Sequence, residues 1–484
     1  MMKEYFLLLP VLFPILAGFS LYLFRFSTAH ARYLYCGIVI GLSTILTWLC
    51  VLFCGEQAFT LLPFSGDVAL VFRLDGAGRL FAALSSALWP FATVYGFDYM
   101  KHSGHMDMFW CFFTAAFGIT MGIAFAGNMM TLYLFYELLT LVTIPLIMEA
   151  MTKRAVKAGV RYAAYSMFGA ALGFVGLVYL ITNGAQDFIP GGHNLMGESA
   201  VVVFFLSFVG FAVKAAIWPL HSWLPTAAVA PTPVTALLHA VAVVKAGAFA
   251  CIRLTYYTFG TEGLRGTRAQ QAVMILTVLT LVYGSARALR EPHFKRRMAY
   301  STISNLSYIL FAVSLMTPLG LTAAFLHFIF HSIIKIDAFF ATGAVRHYTD
   351  RKWVTETEGL GRHMPWTFAC FTAAAFALTG IPPFNGFVSK WYLGLAALDA
   401  GTPLALIGFG GILLSALFTA VYMFQVVVKA WFPRRDAPPV ESDVNKKTAP
   451  LMWVPMVILS VASLVLGICP GWLIDIIERV VSLI

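Results

Sequence analysis

Apolar runs of about twenty residues, separated by short polar or Gly/Pro-rich interruptions, follow one another along almost the whole chain. Such a run is what an α-helix needs to cross the roughly 30 Å hydrocarbon core of a bilayer. The pattern predicts spans near 5–24, 33–54, 76–99, 108–127, 129–150, 158–182 and 200–219. Seven more are expected near 232–256, 271–289, 298–317, 320–345, 365–398, 404–430 and 449–475. The expected fold is therefore an all-α polytopic membrane protein with about 14 transmembrane helices.

Basic residues test this count independently. With the N-terminus outside, the odd-numbered loops become cytoplasmic, and they hold 21 of the 32 lysines and arginines, including Arg25, Arg154, Lys295, Arg346, Arg435, Lys446 and Lys447. The opposite side holds Lys3, Arg73, Arg79, Arg253, Arg265, Arg268 and Arg479. This asymmetry has the sign of the positive-inside rule. It favours both termini on the outer side of a membrane, expected to be a prokaryotic cytoplasmic membrane.

Composition agrees. The 484 residues are 60% apolar and 11% charged, where soluble proteins carry about a quarter charged residues. The net charge of +10 lies in short loops facing lipid headgroups, so nucleic acid is excluded as a partner. The seven cysteines are scattered and form no Cys-x-x-Cys pair, so no metal site or cofactor is expected in this chain.

Four lysines fall inside spans: Lys214, Lys245, Lys335 and Lys390. A lysine at mid-membrane costs roughly 2.5–3.5 kcal/mol even on insertion scales, which marks these positions as functional candidates. Snorkelling is the plain alternative, and it suits Lys390 near a helix break better than Lys245 or Lys335 deep in their spans. Glu137, a third of the way along the fifth span, needs a cation to stay charged, and Lys214 is the natural partner. A static structural ion pair is the competing reading. His327, His331 and Lys335 recur every four residues on one face of the eleventh span, a spacing suited to a hydrated proton relay. His239 and Lys245 are six apart, about 120° around a helix, so they could share a cavity but not a stripe. Asp337 points away from Lys335, towards a neighbouring span or subunit, and receives no role.

Two lysine-bearing segments contain prolines that ordinary spans avoid. Lys214 precedes Pro219, Pro225, Pro231 and Pro233; Lys390 follows Gly380-Ile381-Pro382-Pro383. Proline frees backbone groups that lipid cannot satisfy, so such breaks line wet cavities, as in the discontinuous helices of transporters. A loop cap at the membrane surface is the alternative for the segment after Pro219. The two breaks lie about 170 residues apart. Two halves of five spans each would be inverted relative to one another.

These residues carry a resemblance. Glu137, Lys214 with Trp223-Leu224-Pro225, Ala230-Pro231-Thr232-Pro233-Val234 leading to Lys245, Ala299-Tyr300-Ser301-Thr302-Ile303-Ser304, His331 with Lys335, and Gly386-Phe387-Val388-Ser389-Lys390 recur together from about Asp75 to Trp391. The chain thereby resembles the antiporter-like subunits shared by respiratory complex I, membrane-bound energy-converting hydrogenases and Mrp-type Na⁺/H⁺ antiporters. The resemblance implies fourteen helices with discontinuous helices 7 and 12. It divides the chain into helices 1–3 (residues 1–105), one five-helix repeat (106–256), a second (257–432), and a loop with helix 14 (433–484). It also implies a coupling pair Glu137–Lys214, a central relay at Lys245, a connecting relay at Lys335 with its histidines, and an outer-side exit at Lys390. Thr226, Ala228 and His293 depart from the family pattern and bear on proton entry.

Three functions compete. The first is a proton-translocating subunit of a redox-driven pump, whose Fe–S clusters, NiFe centre or quinone would belong to partner subunits. The second is a subunit of an Mrp-type Na⁺/H⁺ antiporter driven by ion gradients. The third is a non-translocating scaffold or quinone-site subunit, which buried lysines disfavour because leucine would serve it better. Other membrane subunits, paralogous ones included, are the expected partners.

Overall fold

The computed structural model describes all residues except 1–3, 24–25, 27, 66–67, 102 and 435–448. Lys3, Arg25, Arg435, Lys446 and Lys447 thus lie outside the described residues. Helices dominate: α1 (Leu9–Leu23), α2 (Ala29–Phe53), α3 (Gly76–Tyr99), α4 (Met106–Ala124), α5 (Met129–Met148), α6 (Lys153–Thr182), α7 (Glu198–Ala212), α8 (Trp223–Ala227), α9 (Thr232–Ala240) and α10 (Val243–Arg253). They continue as α11 (Arg268–Arg290), α12 (Phe294–Ser314), α13 (Pro318–Thr349), α14 (Leu360–His363), α15 (Pro365–Thr379), α16 (Asn385–Ala400), α17 (Pro403–Trp431), α18 (Pro450–Ile468) and α19 (Gly471–Val481).

Local chemistry sets the boundaries. Thr28, Asp75, Asn128, Thr152, Thr267, Thr317 and Thr402 each cap a helix start by accepting a backbone N–H from the first turn. Each such cap is worth about 1 kcal/mol. Eleven helices among the described residues are long and apolar enough to cross a membrane. Three expected spans are not of that kind. Those near 200–219 and 365–398 divide into α7 with α8 and α15 with α16, while α12 is long but rich in polar side chains.

Two further expectations are corrected. The fold is not all-α, because β1 (Phe59–Ser65) pairs antiparallel with β2 (Val68–Phe72). The pair is anchored to the first turn of α5 by Val71 N–H donating to Thr131 Oγ1 at 2.8 Å. The run near 449–475 is not one helix, because Pro470 holds Cys469 out of the helical region and separates α18 from α19.

Burial identifies the inside of the bundle. An 18-residue apolar stretch is 100% buried in 232–259 and 94% buried in α13, whereas the corresponding stretches of the first span, α2, α17 and α18 are a third buried or less. In lipid, helix association rests on close packing and polar contacts rather than on apolar burial. The interior elements carry His239 and Lys245 in 232–259, and His327, His331, Ser332 and Lys335 on α13, all buried. α13 packs against α3, α9, α12, α15, α16 and α18; α10 packs against α5, α7, α9 and α12.

Candidate functional site

α7 stops at Ala212 and the backbone unwinds through Ser222. Its freed groups find partners: Trp223 Nε1–H donates to the Val213 carbonyl at 2.9 Å, and Trp218 N–H donates to Thr280 Oγ1 at 3.0 Å. Ala216 adopts φ +59°, a conformation costing about 1–3 kcal/mol outside glycine, held here by the surrounding contacts. Lys214 sits at the start of this break, buried, with Nζ 3.5 Å from Glu137 Oε1. The same ammonium donates to the Tyr136 carbonyl and lies 3.2 Å from the centroid of the Tyr136 ring. The expected pair therefore exists, with Glu137 28% exposed and Lys214 1% exposed.

Lys245 is the third residue of α10, and the eighth span is not continuous there. Val241 and Ala242 leave the helical region between α9 and α10, a break that neither proline nor glycine announces. The Ala240 carbonyl at the break accepts from Ser332 Oγ at 2.6 Å. Lys245 Nζ is fully buried with no hydrogen-bond partner among the described residues, 4.6 Å above the ring of Phe328. A desolvated cation–π contact returns about 2 kcal/mol, less than the roughly 2.5–3.5 kcal/mol of placing the ammonium there. Gly247, just beyond Lys245, lets α10 touch the Lys214 break, since a Cβ would fall 2.7 Å from Ala215 N.

α13 presents His327, His331 and Lys335 to these elements. His327 and His331 stack with centroids 5.8 Å apart; His327 Nδ1 meets Ser389 Oγ at 3.0 Å. Both ring nitrogens of His331 and both of His239 are buried and lack hydrogen-bond partners among the described residues. His331 lies within electrostatic reach of both Lys245 and Lys335, His327 of Lys245 and Lys390, and His239 of Lys335. Lys335 donates to Ser301 Oγ at 2.7 Å and to the Met298 carbonyl at 3.2 Å, both on α12. Ser301 continues to Tyr422 Oη at 2.6 Å, a polar chain that explains why α12 is hydrophilic. Lys390, half-buried on α16, donates to the carbonyls of Leu378 and Thr379 at 2.6 and 3.0 Å. These are freed groups at the end of α15. Gly386 permits this crossing, because a Cβ there would fall 1.8 Å from Ala377 O.

Not every candidate joins the series. Asp337 faces α18, where Ser460 Oγ donates to Oδ2 at 2.6 Å and Oδ1 is left unpartnered among the described residues. Pro382 and Pro383 occupy the α15–α16 link, and Pro219 occupies the α7–α8 break. Pro231 and Pro233 mark the start of α9, where proline is tolerated, rather than an interior break.

Two features escape sequence reasoning. Arg253, which hydropathy places at the outer side, is fully buried and pairs bidentately with Asp75, Nη1–Oδ2 2.5 Å and Nη2–Oδ1 2.6 Å. Phe188, Phe249 and Tyr257 rings enclose it at 4.5–4.9 Å. Lys295 and Arg297, which hydropathy places in a loop, are also buried; Lys295 donates to the Ala230 carbonyl at 2.6 Å and Arg297 to the Tyr422 carbonyl at 3.1 Å. A charged residue beside a span end reads as a loop residue when its partner is distant in sequence.

Residues 126–419 match the family described as NADH:quinone oxidoreductase/Mrp antiporter, TM. The chain belongs to this family. It is an antiporter-like membrane subunit of the kind found in complex I, Mrp and related membrane-bound complexes. Within the family it is 30% identical over 400 residues to NADH-quinone oxidoreductase subunit N of Desulforudis audaxviator (strain MP104C), covering 78% of this chain and 77% of that one. It is 31% identical over 413 residues to a probable K(+)/H(+) antiporter polypeptide of Rhizobium meliloti (strain 1021), covering 82% of this chain and 40% of that relative. The fold is shared with a chain of the Mrp complex from Dietzia sp. DQ12-45-1b (TM-score 0.87, 21% identity, 100% of this chain and 97% of that one). It is shared too with respiratory complex I from Thermus thermophilus (TM-score 0.82, 22% identity, 99% of both chains).

Proposed function

We propose that this chain translocates protons along the series Glu137–Lys214–Lys245–Lys335–Lys390, with His239, His327 and His331 as relays, inside a multisubunit redox-driven membrane complex. The observation carrying the proposal is Lys245, at a helix break with no hydrogen-bond partner among the described residues, with His331 in electrostatic reach of both it and Lys335. When the Glu137–Lys214 pair opens, its charge changes next to the α10 backbone through the Gly247 contact, which supplies a route for coupling to Lys245. A hydrogen-bonded path needs mobile donors and acceptors at each step, and the serines on α12, α13 and α16 supply them.

The architecture that goes with this reading is fourteen crossings. α7–α8 would be the seventh, α9–α10 the eighth and α15–α16 the twelfth, with two inverted five-helix repeats over 106–256 and 257–432 and both termini outside. Redox energy would enter from neighbouring subunits that hold the cofactors. A second reading, exchange of Na⁺ for protons driven by gradients, is favoured by the likeness to the Mrp chain and to antiporter subunits. Reconstituted complex with Lys245→Met decides on the path: loss of translocation with intact assembly is expected, and undiminished pumping refutes it. Comparing added Na⁺ with a protonophore in the same vesicles separates the two drivers.

A further inference from the structure

A cavity of about 780 Å³ opens at the end of the bundle that carries the basic loops. Arg154, Lys295, Arg296 and Arg346 line it, and Glu149 is its one carboxylate among the described residues. That carboxylate is already engaged by the Ser103 hydroxyl, and Arg296 is held 3.0 Å from Glu291. Lys295 is buried with only the neutral Ala230 carbonyl as acceptor, and Arg154 and Arg346 have no ion-pair partner among the described residues. An ammonium taken out of water without a counter-ion is costly unless an anion arrives.

Three helices begin on the cavity wall: α6 after Thr152, α9 after Pro231 and α12 after His293. Their dipoles add positive potential to that of the side chains. His293 registers the same field. Burial first, then Arg296, Arg154, Arg346 and Lys295, push its imidazole down to about 4.

We infer that this cavity binds a phosphate-bearing anion, either the phosphodiester head of an acidic phospholipid or a free phosphate. Arginine forks and lysine point charges at helix N-termini are the chemistry that recognises phosphate oxygens. None of the cavity's cations belongs to the lysine series itself.

The test uses the full-length protein, delipidated in neutral detergent and titrated separately with phosphatidylglycerol, phosphatidylcholine and inorganic phosphate. Occupancy is read by native mass spectrometry. The comparison is the Arg154→Gln/Arg346→Gln variant, whose two side chains are exposed and whose loss leaves the core intact. One phosphatidylglycerol should bind about tenfold more tightly than phosphatidylcholine, and about tenfold more weakly in the variant. Saturable binding of inorganic phosphate with the same variant dependence, and no lipid preference, assigns the free anion instead. Failure of every phosphate species to bind, or binding unchanged in the variant, overturns the inference. Should the variant be poorly folded, Lys295→Gln at the cavity floor provides the second measurement, with the same weakening expected.

Discussion

Lys245 and Lys214 are both buried, yet replacing each by methionine should move stability in opposite directions. Lys245 has one favourable contact, the Phe328 ring at 4.6 Å, worth about 2 kcal/mol, against an insertion cost of roughly 2.5–3.5 kcal/mol. Methionine removes that cost and keeps a sulfur–aromatic contact of about 0.3–1.5 kcal/mol. The Lys245→Met protein should therefore be about 1–3 kcal/mol more stable. Lys214→Met loses an ion pair at 3.5 Å, a donation to the Tyr136 carbonyl and a ring contact at 3.2 Å. It should be less stable by about 1–3 kcal/mol, limited by the access of Glu137 to water. Equilibrium unfolding in detergent micelles measures both, and dye-monitored proton uptake by proteoliposomes of the assembled complex should show both inactive. A Lys245→Met protein destabilised as much as Lys214→Met would mean that Lys245 has a partner the geometry does not show. Retained pumping would remove it from the path.

Breaking the Asp75–Arg253 pair from one side, by Arg253→Met or Asp75→Leu, should cost about 3–5 kcal/mol, while the double variant should recover most of it; a double-mutant unfolding cycle reads the difference. Gly386→Ala forces α15 and α16 apart because its methyl would meet Ala377 O, so a lowered unfolding midpoint with reduced pumping is expected, and a wild-type midpoint would show that the crossing is not tight. His293 has a folded-state value of about 4 against 6.5 ordinarily, so the unfolded chain binds its proton first as pH falls. Its contribution to stability is then complete above about 6.5 and is lost between 6.5 and 4; His293→Asn should flatten the midpoint's pH dependence over that window, and an unchanged profile would contradict the assignment.

How legible each feature was depends on whether its cause is local. Lysines inside apolar runs stand out because hydropathy is a property of neighbours in sequence, and the Pro382-Pro383 break announces itself by backbone chemistry. The Val241–Ala242 break has no such marker. It depends on Ser332, on another helix, taking the Ala240 carbonyl. Arg253 looked like a loop residue because Asp75 is 178 positions away. The β1–β2 strands are too short for their alternation to stand out from a loop between spans, and α12 is helical and buried through the hydroxyl network it shares with α17.

The kinds of partner given to the buried cations divide them by role. Arg253, which is permanently charged, receives a bidentate carboxylate. Lys390 and Lys335 receive neutral oxygens instead: carbonyls of Leu378 and Thr379, and the Met298 carbonyl with Ser301. Lys245 receives only an aromatic face among the described residues. A carboxylate partner adds a full opposite charge and fixes the protonated state, whereas carbonyl and hydroxyl dipoles solvate an ammonium without committing it to remain one. Helix breaks are the means of producing such dipoles inside lipid, since an intact helix keeps its carbonyls to itself. Lys214, Lys245 and Lys390 lie at or just beyond breaks, and Lys335, on the unbroken α13, borrows its acceptors from the hydrophilic α12. Of these four lysines, only Lys214 has a carboxylate within reach among the described residues, at the loose distance of 3.5 Å, with the remainder of its shell supplied by Tyr136. An arrangement that holds one pair loosely and the other lysines by dipoles alone is what a chain of exchangeable protons requires, and it is what a rigid scaffold would have no reason to keep.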